Sequence, residues 1–363
     1  MKAIDEYFRK FTDKISFIEL KQDSNIRVIN KEVPYPIYTG QLVDGITSGE
    51  FNEGVSFEAI ARGMIITVAI DPEFKYAEYY TKLLSEIPKI KEFILSEGIK
   101  YLQSNNEIAI YYFRYMYLEN LSTSFSNYNY ARLLYNEYEL EKVDILRVES
   151  IRILEEIIKN DESFPLSYYE LGIINHKEKY YNKSYSYFKN ALNRTEDELV
   201  LEEIREYMRE VEPNAKIELG IDSINRGDYE NAYKLFMESK ILYDSNLANY
   251  YLGLISQLTG EFDLGIEYYL KAIDKGAKFK EVYQNLSLLY YQIGELGKAI
   301  DVLNAGLAEN YEDSVLLYNR VIINLELGFV DKAKEDIDTL LMYGDIEEEI
   351  LQNITRIKHN YNI

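Results

Sequence analysis

Residues 246–279 read NLANYYLGLISQLTGEFDLGIEYYLKAIDKGAKF, and this unit contains the pattern that decides the fold. Within it, Gly260 is followed after five positions by the small Gly265 and after nine by the large Tyr269. The same order returns every 33 or 34 residues between 213 and 346. The recurring positions hold the glycines Gly227, Gly260, Gly294 and Gly328, the small residues Ala232, Gly265, Ala299 and Ala333, and the large residues Phe236, Tyr269, Leu303 and Ile337.

Each unit is predicted to form two helices joined by a turn at the glycine. In 213–246, Ile217, Ile221 and Ile224 fall on one helical stripe, and the apolar residues after Gly227 fall on a second. Glycine suits the turn because the chain must leave a helix there with positive φ. The small residue lets the second helix approach the first closely. Such a hairpin cannot bury its apolar face alone, so neighbouring units are expected to stack.

The pattern resembles the tetratricopeptide repeat, a 34-residue helical hairpin with a Leu-Gly pair in its first helix. Five units resemble this family, and they start near 165, 213, 246, 280 and 314. The tryptophan of the family pattern is absent, because the chain contains none. The resemblance implies an all-α, right-handed superhelix of stacked helical hairpins. The Leu-Gly pair stands at Leu171-Gly172, Leu219-Gly220 and Leu252-Gly253, and it degenerates to Leu286-Ser287 and Arg320-Val321.

Composition limits the class of protein and its partners. The 363 residues are 47% hydrophobic, enough for a packed core, so wholesale disorder is excluded. The net charge of −22 argues against nucleic acid and against an anionic membrane surface as partners. There is no cysteine, and the first residues lack the apolar core of a signal peptide. The longest apolar run is too short to span a membrane. We therefore expect a cytoplasmic protein.

The region 1–88 is predicted to be divergent and helical, with an extended loop at about 22–55. Residues 1–20 carry apolar side chains at helical spacing and predict an amphipathic helix. Prolines and β-branched residues in the loop favour extended chain, with one short strand at Ile26–Ile29. Any strand is expected to lie within 22–45.

A helical hairpin is predicted after a glycine-containing turn region at 44–54. Ser56 is a candidate N-cap for a helix over 57–70. Asp71-Pro72 breaks that helix, and its partner is predicted over 73–87.

The rest of the chain is predicted to be a helical array. Residues 89–198 form degenerate to moderate repeats, and 199–212 form one inserted helix that ends at Pro213. Four clear repeats follow over 213–346. A capping helix at 347–363, polar on its outer face, is expected to cover the open end.

Motifs for chemistry are scarce. The chain has two histidines, His176 and His359, which lie far apart in sequence and make a histidine triad or a histidine-ligated metal centre improbable. The GELGK segment at 294–298 lacks the spacing and the Ser/Thr of a phosphate-binding loop. We predict no catalytic residue, no cofactor and no metal site. An enzyme with an unrecognised site in the N-terminal region stays an alternative.

The resemblance also implies a binding surface. In this family the first helix of each unit lines the concave face, and positions 2, 5, 9, 12 and 13 of the unit point into it. In this chain these positions are mainly apolar or aromatic. The candidate partner-binding residues are Tyr169, Ile173, Ile217, Ile221, Tyr250, Leu254, Gln284, Leu288, Tyr291, Tyr318 and Ile322.

Two other interpretations of this strip stay open. Its residues could simply pack between adjacent first helices, or the strip could be covered by the chain's own loop at 30–50. Most acids of 213–346, where 22 Asp and Glu outnumber 12 Lys and Arg, fall on the second helices. The net charge therefore does not predict a groove that prefers basic peptides.

We predict a non-catalytic scaffold that binds a protein or peptide with an apolar or amphipathic segment. Family members that clamp the acidic C-terminus of heat-shock chaperones use Lys, Arg and Asn at the concave positions, which here are apolar or aromatic. That partner is therefore excluded. The alternative is a peptide-sensing regulator, a layout known from bacterial peptide receptors, whose N-terminal region is the effector.

Overall fold

The computed structural model describes residues 3–19, 30, 32–49, 51, 54–343, 346–361 and 363. The chain divides into two compact units. The first comprises Met1–Ile174 with Tyr187–Asp197, and the second comprises Asn175–Ser186 with Glu198–Ile363.

Nearly all regular structure in the described residues is helical. The first elements are α1 (Ala3–Arg9), a short 3-10 helix (Thr12–Lys14), β1 (Ile15–Ile18), β2 (Tyr35–Tyr38), α2 (Thr39–Ser48), α3 (Phe57–Ile70), α4 (Ala77–Ser85), α5 (Ile90–Leu102), α6 (Asn106–Leu118), α7 (Ser124–Glu141), α8 (Asp144–Asn160), α9 (Pro165–Lys177) and α10 (Tyr181–Leu192). The remaining elements are α11 (Glu198–Asn225), α12 (Tyr229–Leu242), α13 (Asn246–Leu258), α14 (Phe262–Asp274), α15 (Lys280–Gln292), α16 (Leu296–Glu309), α17 (Ser314–Glu326), α18 (Val330–Met342) and α19 (Glu348–Tyr361). The predicted all-α helical-repeat class is confirmed.

A two-stranded antiparallel sheet lies against α3 in the first unit. β1 and β2 pair with Ile15 opposite Tyr38 and Ile18 opposite Tyr35. Tyr35 and Ile37 are fully buried, and Pro36 between them is buried too, so both faces of this part of β2 are covered. Gly63 of α3 permits a very close approach: a Cβ built there would lie 1.9 Å from the carbonyl oxygen of Pro36.

The sheet corrects two predictions for the N-terminal region. The helix predicted over 1–20 ends at Arg9, and Ile15 belongs to a strand instead. This strand also lies outside 22–45, where all strand had been expected. The physical reason is that β1 is stabilised by a partner strand about twenty residues away, which local helical spacing does not register.

The extended loop predicted at 22–55 is also wrong in part, because it contains β2 and α2. α2 continues through Gly45 and ends at Gly49, whose φ of 79° closes the helix. The strand predicted at Ile26–Ile29 lies outside the described residues.

The helix predicted over 57–70 is confirmed with its cap. The Ser56 hydroxyl accepts a hydrogen bond from the backbone N–H of Ala59 at 3.1 Å. The partner helix, α4, is shorter than the predicted 73–87.

The core of the first unit contains one buried cation. Arg114 of α6 is 1% exposed, and its guanidinium lies 4.2 Å from the ring centre of Phe8. It donates to Asp5 Oδ1 at 2.6 Å, to the Tyr130 hydroxyl at 2.7 Å and to the Ala69 carbonyl at 2.7 Å. Asp5 balances the charge, and three of the five N–H donors of the guanidinium have acceptors, which offsets much of the cost of burying it.

The repeats of the second unit have the predicted geometry. The four turn glycines have φ between 74° and 82°. Ala232, Ala299 and Ala333 are fully buried at the helix joints. The four large residues one turn later, Phe236, Tyr269, Leu303 and Ile337, are buried too.

The glycine of the Leu-Gly pair has a packing reason. A Cβ on Gly220 would lie 2.3 Å from the ring of Phe236, and a Cβ on Gly253 would lie 2.6 Å from the ring of Tyr269. The aromatic residue of the second helix therefore fills the space that the glycine of the first leaves. In the unit starting at 280 the pair becomes Leu-Ser, and the facing residue is the smaller Leu303.

The separate helix predicted over 199–212 is wrong. α11 runs from Glu198 to Asn225 as one helix and carries Pro213 inside it. A proline removes one intrahelical hydrogen bond but does not always end a helix. Here Pro213 is buried, and the side-chain amide of the neighbouring Asn214 donates to the Glu210 carbonyl at 2.8 Å. The inserted segment thus continues directly into the first helix of the next repeat.

The described part of the C-terminal segment forms α19. Ile350 and Ile354 of this helix are buried in a core with Ile337 and Leu340 of α18. The other side of the helix is mostly polar and exposed, although Leu351 and Tyr361 are exposed as well. That this helix acts as a cap stays a prediction.

Candidate binding groove

A groove of about 210 Å³ lies between the first helices of two adjacent repeats, α15 and α17. Seven side chains line it, four from α15 and three from α17. They are Gln284, Ser287, Leu288 and Tyr291, and Asn319, Ile322 and Ile323.

Helical spacing explains why these side chains converge. Gln284, Leu288 and Tyr291 lie four and three residues apart, so they form one stripe along α15. Leu288 and Ile322 occupy the same position in consecutive units, and stacking of the units brings them to one groove. Leu288 is 42% exposed, although its neighbours Leu286 and Leu289 are fully buried. An exposed leucine on an apolar wall is a surface that a partner could cover.

The polar groups of the groove are arranged at its edges. The Tyr291 hydroxyl donates to Glu326 Oε1 at 2.9 Å, and this hydrogen bond raises the pKa of Tyr291. No hydrogen bond reaches the side-chain amides of Gln284 or Asn319 from any described residue. The groove therefore offers two amides and one oriented carboxylate beside its apolar floor.

The structure brings together four of the predicted partner-binding residues and separates the others. Gln284, Leu288, Tyr291 and Ile322 line the groove. Ser287, Asn319 and Ile323 were not among the predicted residues. Ser287 lies three positions from Gln284 and Asn319 lies three from Ile322, so helical spacing would have found these two. Ile323 is adjacent to Ile322 and is not found by this spacing.

Tyr250 belongs to an aromatic cluster beside this groove. Its ring centre lies 5.0 Å from those of Tyr251 and Phe279 and 5.8 Å from that of Tyr269. Its hydroxyl accepts a hydrogen bond from the Asn285 side chain at 3.4 Å. Burial raises the pKa of Tyr250 to about 12. Tyr250 therefore contributes mainly to packing between helices.

The remaining predicted residues lie in several places. Tyr318 packs on the C-terminal core, Ile221 packs on the core around Phe236, and Leu254 and Ile173 are half-buried. Tyr169 and Ile217 are core residues. For these last two the structure favours packing over partner binding, because little of either side chain is exposed.

The loop at 30–50 does not need the groove as a docking site. Its residues Val33, Tyr35 and Ile37 are buried in the first unit. The Tyr80 hydroxyl donates to the Pro34 carbonyl at 2.5 Å and holds the segment there. The hypothesis that this loop covers the predicted strip is therefore wrong for these residues.

A larger cavity of about 520 Å³ in the first unit has a polar lining. It includes the start of α7, where Thr123 and Ser126 form a capping box. Ser124 donates to Asp161 at 2.7 Å. These groups satisfy one another, but the buried Oδ1 of Asn127, which also lines the cavity, has no hydrogen-bond partner among the described residues.

The described residues also bear on a metal site, on the environment of His176 and on membrane-spanning helices. Within the part of the chain that the structure describes, no three His, Asp or Glu side chains are close enough to hold a metal ion. His176 Nε2 lies 3.2 Å from Glu210, and the imidazole ring contacts the edge of Tyr207. Among the described helices, none is both long and apolar enough to span a bilayer.

Comparison with known proteins gives distant similarity. No protein-family model matches the chain. The Photosystem I assembly protein Ycf3 of Prochlorococcus marinus (strain MIT 9215) is 28% identical over 135 residues, which cover 34% of this chain and 76% of that protein.

Two solved structures are similar to this chain at low identity and low TM-score. YrrB, described as a TPR protein with an unusual peptide-binding site, is 13% identical, with 56% of this chain and 97% of that chain covered and a TM-score of 0.38. MamA from Desulfovibrio magneticus RS-1 is 15% identical, with coverage of 50% and 94% and a TM-score of 0.36. The chain's own hairpins, with a left-handed glycine at each turn and a glycine of the first helix packed against an aromatic ring of the second, confirm the predicted resemblance to the tetratricopeptide repeat.

Proposed function

We propose that this chain is a non-catalytic scaffold that binds a protein or peptide partner in the groove between α15 and α17. The observation that carries the proposal is Leu288, a leucine exposed on an apolar groove wall between two stacked repeats. Because Leu288 is 42% exposed, a partner that buried the rest of it would gain about two fifths of the value for a whole leucine side chain, or about 0.6–1.3 kcal/mol. A few residues in well-packed pockets carry most of the binding energy of many interfaces, and Tyr291 in the same groove is of a type enriched among them.

The same groove defines what the partner is not. Of the described residues, none that lines the groove is Lys or Arg, so an acidic tail would find no cation among them. The net charge of −22 disfavours nucleic acid and anionic membrane as partners of the whole chain. The partner proposed is therefore a polypeptide with an apolar or amphipathic segment. The chain contains no cysteine, which fits binding of this partner in the cytoplasm.

The test is a selection from a random peptide phage library on the immobilised full chain. Selected peptides are then measured against Leu288→Asp, which places a charge on the groove wall, and against Leu270→Asp as a matched control. Leu270 is 45% exposed but lies on α14, a second helix. We expect binding to be lost in the first variant and kept in the second.

Both variants should keep the wild-type far-ultraviolet circular dichroism and melting temperature, because both leucines are already exposed. A selection that yields no peptide whose binding depends on Leu288 would refute the proposed function.

A further inference from the structure

The rim of the groove carries a carboxylate in a fixed position. Glu326 is exposed at the end of α17, and the Tyr291 hydroxyl of α15 holds its Oε1 at 2.9 Å. Among the described residues no Lys, Arg or His forms an ion pair with Glu326. Other exposed acids of this unit, such as Glu267 and Glu309, do have a lysine partner. The carboxylate is thus oriented beside an apolar floor without a cation of its own.

The two amides of the groove distinguish an extended occupant from a helical one. Each amide group offers both donors and an acceptor. A bound helix has already paired its backbone groups internally, so only its side chains could bond to Gln284 and Asn319. An extended peptide has unpaired N–H and C=O groups along its length, and these match the two amides.

The size of the groove limits what enters it. A volume of about 210 Å³ is smaller than the roughly 300–1,000 Å³ of small-molecule pockets. It accommodates a single aliphatic side chain against Leu288 and Ile322. In an extended peptide, residues two apart lie on the same side and about 7 Å from each other. A residue two positions from the aliphatic one can therefore reach the rim.

We propose that the groove selects an extended peptide segment in which an aliphatic residue enters between Leu288 and Ile322 and a Lys or Arg two positions away pairs with Glu326. This specificity rests on the proposed function, since it assigns the partner of the same groove. The charge complementarity is local: it comes from one carboxylate held by Tyr291 and not from the overall acidity of the chain.

Fluorescence anisotropy with labelled peptides tests the specificity. The probe is the heptapeptide Thr-Lys-Thr-Leu-Thr-Lys-Thr, acetylated and amidated at its ends, in which β-branched threonines favour extended backbone. Lysine on both sides of the leucine allows either chain direction. Comparison peptides replace both lysines by glutamate, replace the leucine by aspartate, or replace the threonines by alanine to favour a helix.

The decisive comparison is between Glu326→Gln and Glu335→Gln. Both variants remove one negative charge from the second unit, but Glu335 lies on α18, a second helix, and is exposed there. At physiological salt we expect Glu326→Gln to weaken binding of the lysine peptide about two- to fivefold, as for an exposed ion pair. Glu335→Gln should leave the affinity unchanged, and Leu288→Asp should abolish binding.

The outcomes separate this inference from the proposed function. Equal effects of the two glutamine variants, or tighter binding of the alanine peptide, would overturn the inference. Failure of the heptapeptide to bind, when phage-selected peptides do bind through Leu288, would also overturn it and leave the proposed function standing. If neither kind of peptide binds through Leu288, both fail.

Discussion

Gly63 is the position where a single added methyl group should cost most. In Gly63→Ala the new Cβ would meet the Pro36 carbonyl oxygen at 1.9 Å and the Ile37 Cα at 2.9 Å. These are backbone atoms, so rotation of a side chain cannot relieve the contact, and β2 would have to withdraw by about 1 Å. Overpacking of this severity costs about 3 kcal/mol or more, and the better helix propensity of alanine offsets about 1 kcal/mol. The net loss is expected to be at least about 2 kcal/mol.

Gly297→Ala is the matched control. Gly297 also lies inside a helix, but a Cβ built there meets nothing within 4 Å. Because Gly297 is the second residue of α16, the gain from helix propensity is smaller than at a helix centre, and this substitution should stabilise the second unit by at most about 0.5 kcal/mol.

Amide hydrogen exchange followed by mass spectrometry measures both changes in the intact chain. We expect faster exchange over β2 and α3 in Gly63→Ala, and slower exchange over α16 in Gly297→Ala. Urea unfolding should shift to lower concentration for the first variant. If the two substitutions give equal exchange and equal unfolding, the close packing of β2 on α3 is refuted.

Three further predictions follow from the buried residues. Ala299→Leu should destabilise the second unit by about 1–3 kcal/mol, because Ala299 is fully buried at a helix joint; an unchanged thermal melt would contradict the assigned repeat phase. Asp5→Ala should cost about 3–5 kcal/mol by leaving the Arg114 guanidinium without its carboxylate, whereas Asp13→Ala, at an exposed site, should cost little in the same urea titration. Burial raises the pKa of Tyr130 to about 12 from an ordinary value of 10, so between these pH values the folded state keeps a proton that the unfolded chain loses. Through this residue the free energy of unfolding should fall by about 1.4 kcal/mol per pH unit between pH 10 and 12. Tyr130→Phe should remove this contribution to the pH dependence of stability.

The parts of the fold that the sequence predicts well are those whose contacts are local. A turn glycine such as Gly260 and a joint residue such as Ala299 act within one hairpin, so their spacing alone identifies the repeat. The Ser56 cap is likewise a contact over three residues. The β1–β2 sheet was missed because neither strand is stable without the other, and helical spacing through Ile15 favours the wrong element. At Pro213 the prediction was wrong for the opposite reason. The local rule that a proline ends a helix is outweighed by the packing of the long helix α11.

The candidate groove was predictable in part. The concave-face positions of the tetratricopeptide-repeat pattern identify Leu288, Tyr291 and Ile322, because stacking places corresponding positions of neighbouring repeats side by side. They do not distinguish an exposed side chain from a packed one, and Tyr250 and Ile217 are mostly packed. Whether a side chain is exposed or packed depends on its neighbours from other segments, such as Phe279 against Tyr250. The spacing of residues along one helix does not identify those neighbours.

The Asp5–Arg114 ion pair also has a consequence for how the chain folds. It joins residues 109 positions apart, whereas contacts between neighbouring repeats, such as Tyr291 with Glu326, span only 35. Folding rates fall as the mean sequence separation of native contacts grows, because loop closure precedes the stabilising contact. The second unit can therefore assemble hairpin by hairpin. During synthesis α1 lacks its partner residue until α6 has left the ribosome. Only then can the buried Asp5–Arg114 pair form in the first unit.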